Sequence, residues 1–237
     1  MSERGRLQLD GDSTQLVTRL LERIVHDFNN PLAAIMGFSE LLLNPALPPD
    51  KKTRYAVRIH EQATRLSQLV EMMSSFSSIP EPTLARLDFS RTAQEMLSLR
   101  EGSFAGLHLG FESIFPAESV VVTGDRNGAT RVMTALLNNL EQVFKENPQV
   151  ERKAMVKCGV EAGHGYLDFV DSGPGVLPDI EEQIFDPFFS TRKSGGLGLG
   201  LTVGQNLARR MGGDLLHRRS DYPGYPGACF RFLLPLA

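Results

Sequence analysis

Three segments follow one another between residues 171 and 201: Asp171-Ser-Gly-Pro-Gly175, Ile184-Phe-Asp-Pro-Phe-Phe-Ser-Thr191 and Gly195-Gly-Leu-Gly-Leu-Gly-Leu201. The first comes straight after Tyr166-Leu-Asp-Phe-Val170, which reads as a strand. A carboxylate at a strand end, with Gly173 and Gly175 letting backbone approach a ligand, can accept from the amino group of an adenine. A plain turn explains that string equally well. In the third segment, Gly196, Gly198 and Gly200 alternate with leucines and lead into a helix predicted from about Leu199 to Arg210. Glycines there leave backbone N–H groups open to phosphate at the positive end of the helix dipole. A flexible loop is the other reading, and the regular leucines count against it. Residues 176–194 between the two are expected to form a lid over a nucleotide. Phe188 in that lid needs a core or a partner, and Arg192 and Lys193 either neutralise phosphates or are simply solvated.

Upstream, Leu87-Asp-Phe-Ser90 reads as a strand, followed by a helix from about Arg91 to Arg100. Leu107-His-Leu-Gly-Phe111 and Val120-Val-Val-Thr123 read as two more strands, and a helix is predicted from about Asn127 to Lys145. Met155-Val-Lys-Cys-Gly-Val160 pairs with residues 166–170 around a turn at Gly163-His164-Gly165. Two strands close the chain, so residues 80–237 make a layered α/β sandwich. Within it, Arg131-Val-Met-Thr-Ala-Leu-Leu-Asn-Asn-Leu-Glu-Gln142 carries two adjacent amides on a helix. One facing a nucleotide can coordinate Mg²⁺, whereas surface exposure is the ordinary fate of such a pair.

Toward the N-terminus the pattern changes at Ile79-Pro-Glu-Pro82, a stiff linker. Before it, Val17, Leu21, Ile24, Phe28, Pro31, Ile35, Phe38 and Leu42 keep the four-and-three spacing of a heptad seam. The prolines of Asn44-Pro-Ala-Leu-Pro-Pro-Asp50 end that helix. Tyr55, Ile59, Gln62, Leu66, Leu69, Met73 and Phe76 repeat the spacing in a second helix, making residues 13–79 an antiparallel hairpin after a short segment 1–12. Leu20, Val25, Leu32, Leu41, Ala63 and Val70 lie beside the seam and exceed what two helices can cover. A hairpin from a second chain would cover them, giving a four-helix bundle dimer.

His26 stands in Ile24-Val-His-Asp-Phe-Asn-Asn-Pro-Leu-Ala-Ala-Ile-Met-Gly-Phe38, two residues past the seam and so pointing outward. A lone helical histidine is ordinarily a surface residue, but three neighbours change this reading. Asp27 is an adjacent acid that can orient the ring and take its proton, Asn30 lies one turn on and can place a water, and Pro31 can kink the helix. The other histidines, His60, His108, His164 and His217, lack such neighbours and read as structural or solvated.

The order of these strings, closed by Met211-Gly-Gly-Asp214 and the terminal Cys229-Phe-Arg-Phe-Leu-Leu-Pro235, resembles the kinase branch of the histidine kinase, gyrase, Hsp90 and MutL superfamily over residues 13–237. The resemblance implies an α+β chain: a phosphotransfer hairpin that dimerises, then an α/β sandwich of Bergerat type binding ATP. It makes His26 the phosphoacceptor, Asp27 the general base, Asp171 the adenine-binding aspartate, Asn139 the Mg²⁺ ligand, and Gly196, Gly198 and Gly200 the phosphate loop. It implies a response regulator receiver domain in trans as phosphoryl acceptor, with dephosphorylation of that partner as a possible second activity. Relatives carry two asparagines four apart on the Mg²⁺ helix, and here the first position is Ala135.

Composition fits this reading. The 237 residues are 41% hydrophobic and 22% charged, ordinary for a globular chain, and 25 basic against 28 acidic residues leave a net −3. No basic patch suggests nucleic acid, and no apolar stretch approaches a membrane span. Two distant cysteines, Cys158 and Cys229, form no metal pattern and read as buried reduced thiols, so the expected location is cytoplasmic. A short N-terminal segment has no room for a sensor, so either input comes from a separate protein or the chain is a fragment of a larger one. The rival readings are a phosphotransfer or docking protein with a decayed ATP domain, and a clamp-like ATPase without phosphotransfer. A nucleotide titration separates the first rival, and the hairpin with its histidine string counts against the second.

Overall fold

The computed structural model describes residues 11–77, 81–187, 189–191 and 198–237. The chain divides into two compact units, residues 1–79 and 80–237.

The first unit is a helical hairpin. Helix α1 spans Gly11–Leu42 and α2 spans Pro49–Ser77. Between them, Asn44 accepts from the backbone N–H of Ala46 at 3.0 Å, and Pro49 and Asp50 sit in the first turn of α2, where a missing donor costs nothing. Phe38 and Tyr55 join the helices near the loop with ring centroids 5.5 Å apart. The seam buries little else that is large except Leu69 among the described side chains, while Val25, Leu32, Met36, Leu41, Val57 and Val70 each remain about half exposed. Pro31 lies inside α1.

The second unit is a two-layer sandwich. Its main sheet has the order β2-β4-β5-β7-β6, with β2 (Gly110–Ile114), β4 (Lys153–Glu161), β5 (His164–Asp171), β6 (Asp214–Arg219) and β7 (Ala228–Pro235). Only β2 and β4 run parallel; the other neighbours are antiparallel. A small ribbon pairs β1 (Ala85–Asp88) with β3 (Val121–Gly124). Helices α3 (Phe89–Ser98), α5 (Arg126–Glu146) and α6 (Gly200–Arg210) cover one face, and α4 (Glu101–Gly106) follows α3. Strand alternation sends Leu167 and Phe169 of β5 and Phe230, Phe232 and Leu234 of β7 into that layer. They meet the buried stripe of α5, Ala129, Val132, Met133, Leu136, Leu137, Leu140 and Phe144, which recurs every three or four residues. Each such large side chain taken from water contributes about 1.5–3 kcal/mol.

Three stretches differ from the pattern reading. Phe89 and Ser90 belong to α3, because the Asp88 carboxylate accepts from the Arg91 N–H at 2.9 Å and caps the helix two residues earlier than the apolar run suggests. Leu107–Leu109 are not strand. They are the exit of α4, where His108 takes a left-handed φ of 51°, and the strand begins at Gly110. The tight turn after β4 falls at Ala162 and Gly163, with φ of 48° and 79°, which leaves His164 as the first residue of β5.

Candidate active site

Chemistry-bearing residues gather at one place in each unit. On α1, the His26 side chain is 71% exposed, with Nδ1 3.5 Å from Asp27 Oδ1. The Asn30 side-chain amide, one turn on, lies 3.3 Å from the same nitrogen. Helical spacing brings these three groups together, and both neighbours address Nδ1, leaving Nε2 toward solvent.

In the sandwich, Asp171 ends β5 and is 4% exposed. Its Oδ1 accepts from the N–H of Gly173 at 2.8 Å and of Ala228 at 3.2 Å. Burial pushes its carboxyl above the ordinary carboxylate range, and those two N–H bonds with nearby His217 draw it partly back. The glycines around it leave little room for a side chain. A Cβ on Gly173 would lie 2.5 Å from Val143 Cγ1, and one on Gly227 would overlap Asp171 Oδ1 and come within 2.6 Å of the Gly173 nitrogen. Gly175 has φ of 73° and packs on Gly227.

Helix α5 runs beside this turn. Ala135, Asn139 and Val143 stand on successive turns of one face. Val143 touches the Gly173 turn, and Ala135 Cβ lies 3.8 Å from where a Cβ on Gly200 would be. Asn139 is midway, about 6 Å along the axis from each. It is half-buried, whereas Asn138 is exposed. At the far end of this row, Gly198 takes φ of 64°, Leu199 is buried, and α6 starts with no side chain capping its N-terminus. Its first backbone N–H groups lie beside Ala135, at the end of the row opposite the Gly173 turn.

The remaining predicted contacts, Phe188, Arg192, Lys193 and Gly196, lie outside the described residues. Of the lid, residues 178–180 form one 3₁₀ turn and Ile184 is buried. Two features escaped the sequence reading. Gly227 at the end of the β6–β7 loop and Ala228 at the start of β7 clamp Asp171, and the repeat Tyr222-Pro-Gly-Tyr-Pro-Gly227 was their one available signal. His217 faces the helical layer rather than water, stacks near Phe230 and pairs through Nδ1 with Glu181 at 2.8 Å, fastening the lid's beginning to β6. Among the described residues no cluster of His, Cys, Asp and Glu could hold a metal, and no helix is long and apolar enough to cross a membrane.

Residues 16–82 match the His Kinase A (phospho-acceptor) domain, and residues 124–237 match the histidine kinase-, DNA gyrase B-, and HSP90-like ATPase. Curated relatives include the signal transduction histidine-protein kinase AtoS of Escherichia coli (strain K12), 24% identical over 99% of this chain and 37% of that protein. The C4-dicarboxylate transport sensor protein DctS of Rhodobacter capsulatus is 27% identical over 86% of this chain and 32% of that protein. The chain thus spans about a third of the length of these two relatives. Among solved structures, histidine kinase ThkA in complex with response regulator protein TrrA aligns with 95% of this chain and 64% of its own, at TM-score 0.75 and 19% identity. Histidine kinase AdeS of Acinetobacter baumannii aligns with 89% of this chain and 98% of its own, at TM-score 0.65 and 19% identity. Both are likenesses of fold.

Proposed function

We propose, for a chain that belongs to the histidine kinases through both its phospho-acceptor and its ATPase domain, that it binds ATP beside Asp171 and transfers the γ-phosphoryl group to His26. The observation that carries this reading is the α5 row, in which Asn139 stands between the Gly173 turn and the start of α6. A nucleotide with its adenine amino group on Asp171 and its phosphates at the α6 N-terminus would pass Asn139 on the way. The Asn139 carboxamide offers one neutral oxygen, which suits Mg²⁺, an ion that keeps its other positions for phosphate oxygens and water. When bound, that ion neutralises charge on the phosphates.

At His26 the chain's own groups settle the proton. With Nδ1 protonated and turned to Asp27, Nε2 keeps its lone pair and attacks the γ-phosphorus as the ADP oxygen leaves. The N–P bond forms, the P–O bond breaks, and the Nδ1 proton moves toward Asp27. Once that proton has moved, Nδ1 accepts from the Asn30 side-chain N–H, the amide nitrogen that stands 3.3 Å away. The phosphoryl group next passes to an aspartate of a response regulator receiver domain acting in trans, and Asn30 places a water for the reverse hydrolysis. The exposed apolar side chains of α1 and α2 are met by a second copy of the hairpin, forming a homodimer, and a separate protein supplies the input. We place this chemistry in the cytoplasm.

The test is incubation with γ-labelled ATP and Mg²⁺. Label on the protein that is acid-labile and base-stable is expected. Neither bound nucleotide nor such label would instead fit a phosphotransfer or docking protein with a decayed ATP domain.

A further inference from the structure

The sheet's other face, turned away from α3, α5 and α6, carries a charge network that the nucleotide site does not use. Asp168, three residues before Asp171 on β5 and so on the opposite face, is fully buried at its centre. Its cross-strand neighbour Arg231 donates to both carboxylate oxygens, Nε to Oδ1 and Nη2 to Oδ2, each at 2.6 Å. The Tyr222 hydroxyl of the β6–β7 loop donates to Oδ2 at 2.7 Å. Arg231 also pairs with Glu161, and its guanidinium lies 4.2 Å over the Tyr166 ring. Gly159 makes room for that ring, since a Cβ there would come within 2.5 Å of the Tyr166 hydroxyl.

This network floors an open cavity of about 390 Å³, with Lys157, Arg218 and Asp221 on its walls. The volume is at the small end of the range for small-molecule sites. Arg231 is committed to Asp168 and Glu161. Neither Lys157 nor Arg218 has an ion-pair partner among the described residues, although the Lys157 ammonium stands 5.3 Å over the Tyr222 ring. Asp221 is the single unpaired carboxylate beside them. Uncommitted charge in the cavity is therefore two positive against one negative. Burial holds both phenols above their ordinary pKa, Tyr222 further through its bond to Asp168, so both keep their protons at neutral pH. The Tyr166 hydroxyl is thus a ready donor.

We propose that this cavity is a binding site for a small anion of the carboxylate or phosphate class, its charged group held between Lys157 and Arg218 and its body against the rings of Tyr166 and Tyr222. Charge complementarity selects the occupant, because a cation would meet two unpaired cations and an apolar molecule would strip water from them without replacement. The site is separate from Asp171 and does not depend on the nucleotide reading.

The chain has no tryptophan and four tyrosines, two of them in this cavity, so tyrosine emission reads it directly. The full chain is titrated with succinate and, in a second arm, with inorganic phosphate, both at constant ionic strength. A saturable emission change is expected, and the probe with the lower midpoint identifies the class. The double substitution Lys157→Ala and Arg218→Ala should raise that midpoint by roughly tenfold or more, as loss of charge-assisted hydrogen bonds requires, with ATP affinity unchanged. Asp221→Asn, which removes only the opposing charge, should lower it. A strictly linear response to both probes overturns the proposal, and so does a midpoint that neither set of substitutions moves.

Discussion

Ala135 on α5 and Gly200 at the start of α6 approach so closely that Ala135 Cβ lies 3.8 Å from where a Gly200 side chain would begin. The helix bearing Asn139 and the helix that opens at the glycine loop thus meet with almost no side chain between them. An asparagine at 135 would put a second carboxamide on the Asn139 row, next to the α6 N-terminus. Ala135→Asn is expected to lower the Mg²⁺ concentration that half-saturates autophosphorylation. Asn139→Ala should be nearly inactive and the exposed Asn138→Ala mild, by initial rates of labelling. If Asn138→Ala proves the more damaging, Asn138 is the ligand.

His26→Gln should leave ATP affinity intact and abolish acid-labile labelling. Asn30→Ala should spare labelling, since Asp27 still addresses Nδ1, and slow hydrolysis of the regulator's phospho-aspartate, because the water-placing group is lost. Equal dephosphorylation by variant and parent would remove that role from Asn30.

Gly227→Ala should cost roughly 1–3 kcal/mol of stability, since a methyl group there overlaps Asp171 Oδ1. It should also weaken ATP binding, by displacing the carboxylate. Gly224→Ala is the comparison: its φ of 83° makes a side chain strained, but nothing lies within 4 Å of its Cβ position, so ATP affinity should hold. Thermal melts and nucleotide titrations of the pair separate site damage from general strain.

The pH dependence of stability follows from Asp171. Its buried carboxyl holds a proton above the ordinary value of 3.8, so the native state binds more protons than the unfolded chain between the two values. Stability is therefore greatest below the unfolded value, falls as pH rises through the folded value, and stays reduced at neutral pH. Asp171→Asn removes that ionisation. It should melt higher than the parent at about pH 7.5, lose the advantage at about pH 3.5, and bind ATP more than roughly tenfold more weakly. A neutral-pH melt below the parent's would mean that the carboxylate is stabilised in place.

Residues 13–78 alone should run as a dimer by light scattering at micromolar concentration, because Val25, Leu32, Met36, Leu41, Val57 and Val70 are left uncovered within one hairpin. A monomeric mass would rule out the bundle.

Local spacing was the legible part of this molecule. The heptad runs locate α1 and α2, because a seam repeats over many turns and prolines mark the break at residues 44–50. His26, Asp27 and Asn30 could be read as neighbours because helical geometry alone brings positions one and four apart together. Short segments around residues 89 and 108 misled, since an apolar run of four or five residues carries no period and the Asp88 cap and the His108 turn decided it instead. Gly227 was hidden for a different reason. It meets Asp171 only because β5 and β7 are neighbours in the sheet, a relation that spacing along the chain does not encode. The Asp168–Arg231 pair was invisible likewise, each residue looking like a solvated charge in an alternating strand.

Pro31 gives α1 a mechanical property. Having no N–H, it leaves the Asp27 carbonyl without its intrahelical donor, and its ring crowds that same carbonyl. A helix of 32 residues would otherwise share a bending or twisting load along its whole length. Here the load concentrates at one joint fixed by covalent structure. The stretch from Gly11 to His26 becomes a lever arm, and the turn from Asp27 to Pro31 its fulcrum. Torque applied to the lever is delivered to the imidazole and the two side chains that address it, whichever way the rest of the hairpin is packed.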